Sequence, residues 1–174
     1  MKKYLLIAAA AAASALFVRY ILDSSSPNWV KIAYKELGTK EAAGGANNPR
    51  IIEYHAATSG NFQADSVHWC SSFVNWCILK SGRTPTDNAT ALSWRNWSGG
   101  YKLDAPAYGC IAVFSYGNGK GHVGFVVGRD GDRLQILGGN QSDAVTVAKF
   151  GTGQIVAYVM PNDWKNPDYN LKTV

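Results

Sequence analysis

The sequence predicts an α+β fold with an antiparallel sheet. Before Pro106, apolar residues recur at helical spacing and are punctuated by capping residues and glycines. After it, short runs of core-type residues are separated by turn signals, with no helical stretch between them. Helices first and strands afterwards indicate helices packed on an antiparallel sheet rather than alternating βαβ units.

The elements follow in order. Ser24-Ser25-Ser26-Pro27 reads as a linker and a helix start together, with Ser26 as cap and Pro27 in the first turn. Trp29, Ile32, Ala33 and Leu37 mark one face of that helix, and Gly38 ends it. A small loop over 42–47 leads to Asn48-Pro49, which starts a second helix carrying Ile51, Ile52, Tyr54 and His55 and closing near Gly60. A third helix runs from about Trp69 to Lys80 and stops at Gly82, and a short fourth covers Ala89 to Trp97. Ile111 to Phe114, Val123 to Val127 and Leu134 to Leu137 read as strands, with Arg129-Asp130-Gly131-Asp132 as the hairpin turn between the last two. Ala144 to Phe150 and Ile155 to Met160 complete the sheet, and 162–174 reads as a polar tail.

The composition fits one folded domain. With 174 residues, 47% hydrophobic and 17% charged, the chain can bury a sizeable core, which excludes disorder for its body. The formal charge is +5, and residues 27 onward keep +3 once Lys2, Lys3, Arg19 and Asp23 are set aside. That mild basicity suits an acidic polymer. No Lys/Arg run with interleaved aromatics is present, which argues against nucleic acid.

Residues 1–26 read as a targeting segment. Lys2-Lys3 precede an apolar stretch from Tyr4 to Val18, in the order of an export signal, and Ala13-Ser14-Ala15 has the form of a cleavage site. The alternative is an uncleaved, weakly held inner-membrane anchor over Tyr4 to Leu22, interrupted by Arg19. Either predicts a periplasmic or extracellular domain, with Lys2 and Lys3 left inside. A buried N-terminal helix of a cytosolic protein is the third reading. The domain itself is expected over 27–161.

The chemistry centres on His68-Trp69-Cys70-Ser71-Ser72-Phe73-Val74-Asn75-Trp76-Cys77. Cys70 falls at a helix start, where free N–H groups and the helix dipole favour a thiolate. His122, flanked by Gly121 and Gly124 at the opening of a strand, is placed to take the thiol proton. A third polar group must fix the imidazole, and Asn140 in Leu137-Gly138-Gly139-Asn140-Gln141 lies on the neighbouring strand. Each has a plainer reading: a buried thiol, a structural histidine and a turn asparagine. Trp69 is a candidate cleft wall. Gln63, His68 and the Cys70 N–H are candidate donors to an oxyanion. Asp65 reads as a loop or cap residue, Tyr54 as core, and Trp94 and Trp97 as core rather than sugar platforms.

Three cysteines leave one odd thiol in an exported chain. Cys77 and Cys110 either pair as a disulfide or sit as small buried hydrophobes. Cys70 in a disulfide would hold the enzyme off until reduced. Three histidines and no C-x-x-C or H-E-x-x-H spacing point to no metal and no cofactor. Asp130 and Asp132 are explained by their hairpin without calcium.

Trp69-Cys70-Ser71-Ser72-Phe73-Val74-Asn75-Trp76, then Gly121-His122-Val123-Gly124-Phe125, then Leu137-Gly138-Gly139-Asn140-Gln141, resembles the CHAP and NlpC-type cell-wall hydrolases over residues 28–161. The resemblance implies a papain-like fold with Cys70 as nucleophile, His122 as base and Asn140 as the orienting residue. It implies peptidoglycan as partner and a cysteine-dependent amidase or endopeptidase, acting as a phage endolysin, a bacterial wall enzyme or a toxin with an immunity protein. Many CHAP members carry a carboxylate where Asn140 stands. The chain is expected to be a monomer. The competing function is a non-catalytic wall-binding module on the same fold.

Overall fold

The computed structural model describes residues 25–174. The expected signal or anchor over Tyr4 to Leu22 lies outside the described residues. Among the described residues, no helix is long and apolar enough to cross a membrane.

Three α-helices precede the sheet. Helix α1 spans Asn28–Lys35 and buries Trp29, Val30, Ala33 and Tyr34. It starts one residue later than expected, so Pro27 rather than Ser26 holds the cap position, and no side chain caps it. Helix α2 spans Pro49–His55; Asn48 accepts the Arg50 N–H, as its place before a proline predicts. Helix α3 spans Cys70–Lys80 and is buried continuously from Cys70 to Ile78. A helix buried all round belongs in the centre of a fold, and α3 packs on α1, α2 and the sheet. The short fourth helix forms as a 3-10 segment, Ala91–Asn96, with Trp94 buried against Trp97.

The sheet has six strands: β1 Gly100–Leu103, β2 Ile111–Gly117, β3 Lys120–Asp130, β4 Arg133–Gly138, β5 Thr146–Phe150 and β6 Ile155–Pro161. Their order is β1-β6-β2-β3-β4-β5, and every pair is antiparallel. This is the α+β arrangement predicted, helices on an antiparallel sheet. Strand β1 is an addition: it is short and only half-buried, so it carries little alternation to read. Central β3 is buried from His122 to Gly128, which seats the His122 segment in the middle of the sheet. Asn118 and Gly119 both take left-handed φ in the tight β2–β3 turn, and Gly131 does so between β3 and β4.

Residues 162–174 differ from the expected tail. Trp164 packs edge-on against Trp29 at 5.4 Å. The Lys172 carbonyl accepts the Arg129 N–H, and the Val174 N–H donates to Gln135. A Cβ at Gly128 would stand 2.4 Å from that Lys172 carbonyl, so the glycine admits the segment. The Cys77–Cys110 disulfide is not formed. All three cysteines are free and buried, and Cys77 and Cys110 are fully enclosed by apolar neighbours, which pushes both thiols up, Cys110 to about 12.

Candidate active site

Helix α3, strand β3 and the β4–β5 loop meet around a cleft of about 770 Å³. Cys70, His122, His68, Glu41, Tyr116 and Phe150 line it.

Cys70 is the first residue of α3 and is 8% exposed. Burial pushes its thiol above the ordinary range, while the backbone N–H groups of Val123, Ser71 and Cys70 itself oppose this. The helix start therefore acts in the expected direction, but desolvation is larger. Burial thus favours the thiol over the thiolate.

The polar residues of the Cys70 motif tie this helix start to its surroundings. Ser71 donates to the Asn88 carbonyl and accepts the Trp94 indole N–H. Asn75 bonds the backbone of Asn88 and Asp87. Ser72 meets His55 Nδ1 at 3.0 Å. All three side chains are fully buried, so their pairing is what makes a polar helix tolerable in the core.

His122 lies 7% exposed between two aromatic rings, stacked on Phe150 at 5.2 Å and tilted against Phe114 at 5.9 Å. Its Nε2 faces Gln141 Oε1 at 3.0 Å. Gln141 has no freedom to turn round. Its amide N–H groups donate to the Thr146 carbonyl at 2.7 Å and toward the Ile136 carbonyl at 3.3 Å, so its oxygen must face the ring. Nε2 is then the protonated nitrogen of the neutral imidazole, and Nδ1 carries the lone pair. Burial lowers the His122 pKa and the Gln141 bond partly restores it, which favours the neutral form that acts as a base.

Asn140 is not the residue on His122. Its backbone takes a left-handed φ of 56°, its amide donates to Glu41 at 3.0 Å, and its oxygen faces His68 Nδ1 at 3.2 Å. Asn140 and His68 line the cleft together. Trp69 is not among the residues that line the cleft. It is fully buried, donates its indole N–H to Glu41 and tilts against Tyr54 at 5.8 Å. Gln63 bonds Asn61 on the exposed loop and is not part of the cleft lining. Asp65 accepts the N–H groups of Ala42 and Asn48 and organises that loop. Tyr54, Trp94 and Trp97 are core.

The motif glycines are there for space. A Cβ on Gly121 would lie 2.2 Å from the Phe114 carbonyl. On Gly139 it would lie 2.5 Å from the Trp69 ring. Four lining residues, Gln141, Glu41, Tyr116 and Phe150, carry no role in the sequence reading, although Gln141 stands inside the quoted glycine motif. Among the described residues, no group of His, Cys, Asp and Glu is arranged to hold a metal ion.

Residues 62–140 match the family model of the CHAP domain. The CHAP match opens in the loop before Cys70 and closes one residue short of Gln141, so it includes both Cys70 and His122. It agrees with the family read from the three motifs. CHAP domains are a family of peptidoglycan hydrolases, amidases and peptidases that depend on cysteine and histidine. No curated protein matches the chain.

Proposed function

We propose that this chain is an exported peptidoglycan hydrolase that cleaves an amide bond of the wall peptide by acyl transfer through Cys70. The observation that carries the reading is a buried thiol and an imidazole of defined tautomer lining one cleft. His122 Nδ1 takes the Cys70 proton as Sγ attacks the carbonyl carbon. The C=O electrons move to oxygen, and the Cys70 backbone N–H at the helix start is the proposed donor to that oxyanion. The intermediate collapses as the C–N bond breaks, and protonated His122 gives its proton to the leaving amine. Water, deprotonated by His122, then hydrolyses the thioester and restores the thiol. Gln141 replaces Asn140 as the residue that fixes the imidazole.

Digestion of purified peptidoglycan by the full chain and by Cys70→Ala tests the mechanism. The native chain is expected to release fragments and the variant none. Equal release by both would exclude the thiol. No release by the native chain would favour a wall-binding module. Mass spectrometry of the fragments distinguishes amidase from endopeptidase. Export rests on the Lys2-Lys3 and apolar pattern of the N-terminus. Cell fractionation checks it: a shortened soluble product means a cleaved signal, a full-length membrane-bound one means an anchor, and a cytosolic one refutes export.

A further inference from the structure

Glu41 comes from a loop far upstream of the three motifs, yet its carboxylate bridges two of them. Its Oε1 accepts the Trp69 indole N–H at 2.9 Å and the Asn140 amide N–H at 3.0 Å. Trp69 immediately precedes Cys70, and Asn140 immediately precedes Gln141. One oxygen thus joins the start of the nucleophile helix to the loop that orients His122.

The backbone holds Glu41 there. Gly38 N–H donates to the Val145 carbonyl, Val145 N–H to Thr39, and Glu41 N–H to Asp143, so 38–41 runs as a short edge along 143–145. Both partners of the carboxylate are constrained as well. Trp69 is fully buried against Gly139. Asn140 takes a left-handed turn that asparagine tolerates well, and its side chain is fixed there by Glu41 and His68. Because the Asn140 N–H is committed to Glu41, its oxygen is the atom facing His68, which places the His68 proton on Nδ1. Consecutive residues therefore orient two imidazoles, and Glu41 anchors the first of these chains.

We propose that Glu41 is a positioning residue for hydrolysis, clamping Cys70 and the His122–Gln141 pair in register. The proposal rests on Cys70 as the nucleophile. Misplacement of a reacting group by about 1 Å costs on the order of a hundredfold in rate, and loss of the clamp frees both sides at once.

The test uses the full chain as wild type, Glu41→Ala, Glu41→Gln and Asn140→Ala. It measures peptidoglycan turnover and the pH profile of Cys70 alkylation by iodoacetamide, read by mass spectrometry. Glu41→Ala is expected to lower saturated turnover at least about tenfold, with half-saturation within about twofold. It should also move the alkylation profile to lower pH, because loosening the packed start of α3 relieves the desolvation that holds the thiol up. Glu41→Gln, whose amide oxygen accepts the same two bonds, should keep at least about a third of the turnover and the wild-type profile. Asn140→Ala, which cuts one arm and leaves Trp69 bonded, should fall between them and carries the test if Glu41→Ala fails to fold. Turnover within about twofold of wild type in folded Glu41→Ala, or in Asn140→Ala with an unmoved profile, overturns the clamp. So does Glu41→Gln as slow as Glu41→Ala. Alkylation needs no substrate, so failure of the nucleophile reading would show separately, as hydrolysis surviving Cys70→Ala.

Discussion

His122 and His55 are both buried imidazoles whose pKa burial lowers. Both have an aromatic neighbour, Phe150 for the first and Phe62 for the second. Their partners differ. His55 is fully enclosed, with Nδ1 on the Ser72 hydroxyl and the carbonyls of Ala64 and Val67 opposing the pKa shift. It ties α2 to α3 and steadies the loop that leads to Cys70. His122 spends only Nε2, on an amide that is itself locked, and the rest of its ring borders a cleft shared with a thiol. Burial and a lowered pKa are common to both sites. What separates a structural histidine from a candidate base is a committed nitrogen on one side and a reactive group on the other.

The sharpest break in this comparison is kinetic. His122→Ala is expected to lower peptidoglycan turnover by about 10²–10⁴-fold, the range of a lost general base. Gln141→Ala should cost less, on the order of a hundredfold at most, because it leaves the base in place and only frees its orientation. His55→Ala should leave turnover within about threefold once the protein is folded. Steady-state assays of the three variants on one peptidoglycan preparation check this order, and equal losses at His55 and His122 would erase the distinction.

The next difference is in pH. His122 acts when neutral, and its pKa lies below the ordinary 6.5. The acid limb of the activity profile should therefore fall below pH 6.5 and persist into mildly acidic solution. Phe150→Ala admits water to the ring and should move that limb up toward 6.5. The stability profile follows the same sign. Both His55 and His122 have folded pKa values below their unfolded ones, so the unfolded chain binds more protons. Their contribution is fully present above about pH 6.5 and is lost as pH falls through the lowered values. Thermal melts between pH 7 and 5 should show this decline, and a flat profile would contradict the shifts.

The smallest expected effect is the stability change at His55. His55→Ala leaves the Ser72 hydroxyl unpaired in the core and should cost about 1–3 kcal/mol. That corresponds to a fall of roughly 2–12 °C in Tm for a domain of this size. Calorimetry or a dye-based melt measures it. A neutral effect would mean that the helix α2–α3 tie contributes little.

Much of the fold was legible. Asn48-Pro49, Gly82 and the Asp130-Gly131 turn fall at the boundaries they announce, because caps and turns are local chemistry. The motifs around Cys70 and His122 were legible as sequence, and both residues line one cleft. The choice between Asn140 and Gln141 was not legible. Extrapolating a strand through Gly138 assumes regular alternation, but Asn140, Ser142 and Asp143 all take left-handed φ and break it. Glu41 was hidden for another reason. It lies on a loop without periodicity, and its value comes from partners 28 and 99 residues away. Strand β1 and the returning 162–174 segment likewise depend on tertiary contacts that leave no local pattern.

The buried Nε2 side of His122 also makes it visible to spectroscopy. Its Nε2 proton is held by Gln141 and shielded by Phe114 and Phe150. Exchange with water then needs an opening of the packed rings, and protection of this kind slows exchange. That single proton should give a persistent far-downfield NMR resonance, one that reports the tautomer directly and disappears when ligand or mutation loosens the cleft.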